Sequence, residues 1–140
     1  MTASPTAEGA VAPARLAEAA AALAERVDAE VRFDAGSRAA YSTDASNFRQ
    51  VPLGVVLPRS IDAAVDAVAV CRELGLPVVS RGGGTSLAGQ CTNTAVVLDF
   101  SKYCHRLVSV DAGARRCVVE PGIVLDDLNA RLAEHGLRFG

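Results

Sequence analysis

The sequence predicts an α+β fold in two small α/β subdomains, the second of them only begun within 140 residues. Three observations predict it. A short apolar strand, a helix and a second apolar strand follow one another over residues 54–79, which makes a β-α-β unit with parallel strands. Three consecutive glycines, Gly82, Gly83 and Gly84, come directly after, at the carboxyl end of a strand, where open α/β sheets bind ligands. Two further apolar runs, Leu107–Asp111 and Arg116–Glu120, are separated by a hairpin-length turn and lead into a last helix. Two strands do not complete a sheet, so the chain reads as the N-terminal part of a larger unit.

Bulk properties narrow the class. Hydrophobic residues make up 50% of the chain, enough for a core. Fourteen basic residues against sixteen acidic ones give a formal net charge of −2, which argues against a nucleic-acid partner. No run of about 18 apolar residues exists to span a membrane. The N-terminus lacks a basic segment followed by an apolar one, so no secretory signal is expected. These features predict a cytoplasmic protein, or one peripheral to the inner face of the membrane. The cysteines Cys71, Cys91, Cys104 and Cys117 form no Cys-x-x-Cys pair, so buried free thiols are expected and no metal site.

Taken in order, residues 1–12 lack periodicity and read as a disordered tail. Residues 13–46 form an N-terminal helix and lead-in. The helix starts at Pro13 and carries Leu16, Ala20, Leu23 and Val27 on one stripe. Glu30–Phe33 reads as a short strand. Tyr41–Asn47 is polar and turn-forming, with Asp44 and Ser46 able to turn the backbone locally. Residues 47–140 form the main body. Gly54–Pro58 is a strand, and Ser60 is a good N-cap with Asp62 in the first turn. Ile61, Ala64, Val65, Val68 and Cys71 recur at helical spacing, with Val70 and Leu74 widening the apolar surface, so this helix is expected to be well buried. Gly75 and Pro77 end it. Val78–Val79 and Ala95–Asp99 are strands, and Ser101–His105 is a connection. His105 has no partner carboxylate or cysteine spacing and reads as solvent-exposed, not as a ligand. Pro121-Gly122 is a sharp corner. Asp126 and Asp127 open the last helix, where the macrodipole favours them, and Leu125, Leu128 and Leu132 share one face. Gly136 ends it, with His135 near its C-terminus.

The chemistry concentrates in Arg81-Gly82-Gly83-Gly84-Thr85-Ser86-Leu87-Ala88-Gly89. Glycines can turn successive backbone N–H groups towards one point, a concave anion site. Arg81 is expected to place a positive charge beside it, and Thr85 and Ser86 to add hydroxyl donors. The simplest guest is a phosphate or pyrophosphate. Named phosphate loops do not fit. After Gly84 and Gly89 a P-loop requires Lys and Ser/Thr, where Gln90 and Cys91 stand, and the dinucleotide pattern needs glycine where Leu87 stands. Both motifs also open a helix, whereas this loop runs into a strand. A glycine-rich turn without a ligand remains the alternative.

Arg81–Gly89, Val96-Val97-Leu98-Asp99 and Val119-Glu120-Pro121-Gly122 resemble the PCMH-type FAD-binding domain of the vanillyl-alcohol oxidase superfamily, in the branch of D-lactate dehydrogenases and glycolate oxidase FAD subunits. Tyr41-Ser42-Thr43-Asp44-Ala45-Ser46 and Val56-Leu57-Pro58 match that branch in order, so the resemblance covers roughly residues 40–140. It implies FAD as cofactor, held by Arg81, Gly82, Gly83, Gly84, Thr85, Ser86, Leu87, Gly89, Pro121 and Gly122. Its pyrophosphate would lie on the N–H groups of residues 82–86. It implies non-covalent FAD, because Thr85 stands where covalently linked members carry a histidine. It implies oxidation of a D-2-hydroxy acid such as D-lactate or glycolate, an unidentified electron acceptor, and an iron–sulfur domain or subunit as a candidate partner. No catalytic residue is expected within residues 1–140. Rival readings are a D-2-hydroxyglutarate dehydrogenase, an alkyl-dihydroxyacetonephosphate synthase, a non-catalytic phosphate- or nucleotide-binding module, and, last, a scaffold protein.

Overall fold

A computed structural model of the protein describes residues 11–140. The expected tail over residues 1–12 therefore lies outside the described residues, apart from Val11 and Ala12.

Ten elements follow in the order α1 (Pro13–Arg26), β1 (Ala29–Arg32), α2 (Ala35–Ala40), β2 (Gly54–Pro58), α3 (Ile61–Glu73), β3 (Val78–Arg81), β4 (Val96–Asp99), β5 (Leu107–Asp111), β6 (Arg116–Val119) and α4 (Leu125–Ala133). They build a four-stranded sheet ordered β1-β2-β4-β3 and a two-stranded sheet of β5 and β6. β2 and β3 are parallel, as the β-α-β reading requires, but β4 is inserted between them and bonds to both. β1 runs antiparallel on the β2 edge.

The inner strands β2 and β4 are buried at every position, which is why their sequences are continuous apolar runs. Val56, Val96 and Leu98 face α1 and α3, meeting Ala19, Leu23, Val27, Ala67, Val70 and Cys71. Val55, Leu57 and Val97 face the other way, towards Tyr41, Val79 and Tyr103. Each fully buried valine or leucine contributes about 1.5–3 kcal/mol, so this two-sided sheet carries most of the stability.

α3 corrects one expectation. Ser60 caps it, accepting from the Ala63 amide, and Asp62 lies in its first turn as foreseen. The buried face, however, is Ala63, Ala64, Ala67, Val70 and Cys71, while Ile61, Val65 and Val68 are exposed. Three alanines let the helix axis approach the sheet closely, and the bulkier β-branched stripe is left facing outward. It lines an apolar groove of about 670 Å³, opposite Val108, Val118 and Val119 of the hairpin. In α1 the core similarly takes Ala19 and Leu23. α2 was not expected. Its signal was Asp34, whose side chain accepts from the Ser37 amide three residues on.

The β5–β6 hairpin pairs Asp111 with Arg116 and Leu107 with Val119, with a bulge between Leu107 and Ser109. Its base is tied by Glu120, which is 4% exposed. The carboxylate accepts from the Arg106 amide (2.8 Å) and from Arg106 Nε and Nη2 (3.0 and 2.7 Å). These bonds hold its pKa below the ordinary 4.5. A depressed carboxyl stabilises the fold fully above its unfolded value, and that contribution is lost as pH falls through the lower folded value. Arg106 is 73% exposed, so water screens the ion pair and the orphaned amide dominates any loss. We expect Glu120→Ala to cost about 2 kcal/mol near neutral pH. Urea-denaturation midpoints of wild type and variant should converge below the carboxyl range. A gap that persists there would show that the carboxylate is not the cause.

All four cysteines are free thiols, but only Cys71 and Cys104 are buried as expected, whereas Cys91, in the glycine loop's return, and Cys117, on the hairpin, are half-buried. Among the described residues no helix is long and apolar enough to cross a membrane, and no cluster of three potential metal ligands occurs.

Candidate functional site

The glycine loop leaves the carboxyl end of β3 and returns as β4, beside the corner that ends β6. Between them lies a cleft of about 590 Å³. Gly82, Gly83 and Thr85 line one wall. Pro121, Gly122, Ile123, Val124, Leu125 and Asp127 line the other, with Ser101 and His105 at the floor of the connection. A side chain on Gly82 would stand 3.9 Å from the Pro121 carbonyl oxygen, so the two walls approach at this point.

The loop's backbone donors are unused. None of the N–H groups of residues 82–89 donates to another described residue. Gly84 and Gly89 adopt positive φ, at 67° and 77°. Successive free amides in such a turn make an anion-binding concavity.

Arg81 is not among the residues that line this cleft. Its Nη1 donates to Thr43 O (2.9 Å) and Cys91 O (3.4 Å), and its guanidinium stacks on the Tyr41 ring at 5.2 Å. Gly84 must be glycine partly because a Cβ there would meet the Arg81 guanidinium, 2.9 Å from Cζ and closer still to Nη2. Tyr41 in turn donates to Asp99 Oδ2 at 2.6 Å. Burial and this bond push the Tyr41 pKa up to about 12. Asp99 also accepts from the amide and hydroxyl of Ser101. Asp44 completes the clasp: its carboxylate accepts from the Cys91 amide, and Ala45 N donates to Gly84 O at 3.0 Å. The Tyr41–Ser46 segment thus grips the back of the glycine loop, and none of it lines the cleft.

The other expected site residues divide. Gly82, Gly83, Thr85, Pro121 and Gly122 come together at the cleft. Ser86 is occupied by Gln90, through its side chain and its amide. Leu87 is 82% exposed and points away from the core. Gly89 packs under Phe48. Gly122 has its N–H committed to Cys104 O at 2.8 Å, and Pro121 has none, so this corner offers carbonyl oxygens and shape but no amide donor. His105 is solvent-exposed as expected, yet it lines the cleft, which a lone histidine without a partner pattern could not reveal.

These features fit FAD. The free amides suit the diphosphate, and the corner and the start of α4 supply an apolar wall of Ile123, Val124 and Leu125 for a flat ring system. Nothing in the cleft would clash with an anion apart from Asp127.

Comparison with known proteins agrees. The sequence profile described as "FAD binding domain" matches residues 52–140. The chain is 32% identical over 112 residues to the mitochondrial D-lactate dehydrogenase [cytochrome] of Kluyveromyces lactis, covering 77% of this chain and 19% of that protein. It is 34% identical over 108 residues to the D-2-hydroxyglutarate dehydrogenase of Pantoea ananatis, covering 73% of this chain and 10% of that one. The chain thus spans a fifth or less of the length of these relatives. Among solved structures, the 4-ethylphenol oxidase of Gulosibacter chungangensis superposes with a TM-score of 0.75 at 21% identity, over 91% of this chain and 26% of that one, which shows the fold. The chain belongs to the FAD-binding domains of the vanillyl-alcohol oxidase superfamily, with FAD as its cofactor.

Proposed function

We propose that this domain holds non-covalent FAD in a flavoenzyme that oxidises a D-2-hydroxy acid, D-lactate or glycolate in the first instance. The observation that carries the cofactor half is the run of unused amides at residues 82–89, of which Gly82, Gly83 and Thr85 line one cleft with Pro121 and Gly122. Support for the substrate half is that both named relatives oxidise acids with a hydroxyl on the α-carbon in the D configuration. The Pantoea ananatis relative favours D-2-hydroxyglutarate as the second substrate to examine.

When bound, FAD would supply the redox chemistry, a two-electron oxidation of the hydroxy acid. This chain's residues bind and orient. The amides of residues 82–86 would donate to the diphosphate, and Gly82 and Gly83 would let it approach the backbone closely. Thr85 adds a hydroxyl donor. The Arg81–Tyr41–Asp99 clasp keeps the loop in its donor-presenting form. No described residue is assigned as the base that takes the hydroxyl proton. The electron acceptor belongs to the same proposal, with an iron–sulfur domain or subunit as the candidate.

The full-length protein, purified without added cofactor, should show a flavin absorption spectrum that passes to the supernatant on acid precipitation. Anaerobic D-lactate, glycolate and D-2-hydroxyglutarate should then be compared by flavin bleaching. Flavin retained in the precipitate would refute the non-covalent assignment. A colourless protein that takes up no added FAD would favour a plain phosphate-binding module.

A further inference from the structure

The stripe Ile61, Val65 and Val68 on α3 stands across the apolar groove of about 670 Å³ from Val108, Val118 and Val119 of the hairpin. All six side chains are exposed, Val65 at 62% and Val118 at 57%. A concave run of aliphatic side chains rimmed by little else marks a contact surface. The charged residues of its lining are Arg106 and Glu120, which bond to each other, so the groove carries no net charge. The hairpin is also weakly anchored. Among the described residues β5 and β6 pair only with each other, and neither packs closely against α3 or the four-stranded sheet. It is tied at its base, where Glu120 meets Arg106 and Gly122 N donates to Cys104 O. An isolated two-stranded ribbon is marginally stable at best.

We propose that apolar side chains from the polypeptide following Gly140 fill this groove and wedge the hairpin against α3. Three observations favour that occupant. The chain spans a fifth or less of the relatives above, which leaves most of such a polypeptide outside these residues. A stable interface between separate chains takes about 20–30 residues a side, and 12 line this groove. A tethered segment needs less area, because the tether removes much of the entropic cost of association. The absence of net charge suits an uncharged apolar segment and gives an acidic or basic partner nothing to recognise. The wedge also reaches the cofactor. Pro121 lines both the groove and the FAD cleft, so filling one fixes a wall of the other. This last step rests on the FAD reading above.

The test uses the full-length protein. Val65→Cys places a thiol in the groove, and Asp66→Cys places one on an exposed position of the same helix that does not line it. Native alkylation with iodoacetamide, read by peptide mass spectrometry, should be at least about ten-fold slower at position 65 than at position 66. Equal rates would show an open groove and overturn the proposal. With p-benzoylphenylalanine in place of Val65, illumination should join this position to a peptide beyond Gly140. A product of twice the mass, or no crosslink beyond Gly140, would overturn the choice of occupant. Val65→Asp, which hinders filling, should weaken FAD about five-fold although residue 65 does not line the cleft. An unchanged FAD affinity would overturn the link to the cofactor wall. A protein that protects position 65 yet binds no FAD would overturn the FAD reading alone.

Discussion

Gly122→Ala is expected to lower the stability of the domain by about 3 kcal/mol. A Cβ at this position would stand 2.5 Å from the Phe100 carbonyl carbon, closer still to its oxygen, and 2.8 Å from Cys104 O. These are backbone atoms, so no rotamer change relieves the overlap. Either the corner must move away from the β4–β5 connection, or the Gly122 N–H must give up its bond to Cys104 O. Moving the corner also drags Glu120 and Pro121, and so opens one wall of the FAD cleft. The denaturant midpoint should fall sharply, with a parallel loss of FAD affinity in whatever fraction remains folded. A variant as stable as wild type would mean that the close approach of backbone at residues 100–104 and 122 does not exist in solution. The contrast is Gly83, where a Cβ would meet only Thr85 Cγ2, at an ordinary 3.7 Å. Gly83→Ala should fold normally.

The second large effect falls on cofactor binding. Gly84→Ala is expected to weaken FAD about thirty-fold, roughly 2 kcal/mol. Two causes add. Alanine at φ 67° costs about 1 kcal/mol relative to glycine. Its methyl also needs the space of the Arg81 guanidinium, which must leave Thr43 O, Cys91 O and the Tyr41 ring. Without that clasp the loop carrying the amides of residues 82–86 is no longer held in place before the ligand arrives, and binding must supply the ordering. Tyr41→Phe removes only the bond to Asp99 and should give a smaller loss in the same direction. Titration of apo protein with FAD measures both. If Gly84→Ala bound FAD as wild type does, the Arg81 clasp would not be what shapes the loop.

Much of the chain could be read from local pattern. Continuous apolar runs marked β2 and β4, and Ser60 with Asp62 marked the start of α3. Gly75 and Gly136, both at positive φ, marked helix ends. The hairpin spacing marked β5 and β6. The run Gly82–Gly84 ahead of a strand marked a tight glycine turn, and Gly84 takes the positive φ that glycine favours. These features depend on residues near one another in sequence, and the physics that shapes them is local.

Contacts between distant segments were decided only by the tertiary structure. Nothing in Val96–Asp99 says that it will slide between β2 and β3, since a buried parallel strand looks the same at any inner position. The stripe Ile61, Val65 and Val68 has ideal helical spacing, yet the face with three alanines packs inward because small side chains allow closer approach to the sheet. Arg81 beside three glycines suggests an anion partner. That its Nη1 also donates to the carbonyls of residues 43 and 91 depends on where the folded chain brings those segments. His105 carries no motif at all. Its place at the cleft follows from the meeting of two loops, Gly82–Thr85 and Pro121–Gly122, which are far apart in the chain and form the two walls of one cleft only in the folded domain.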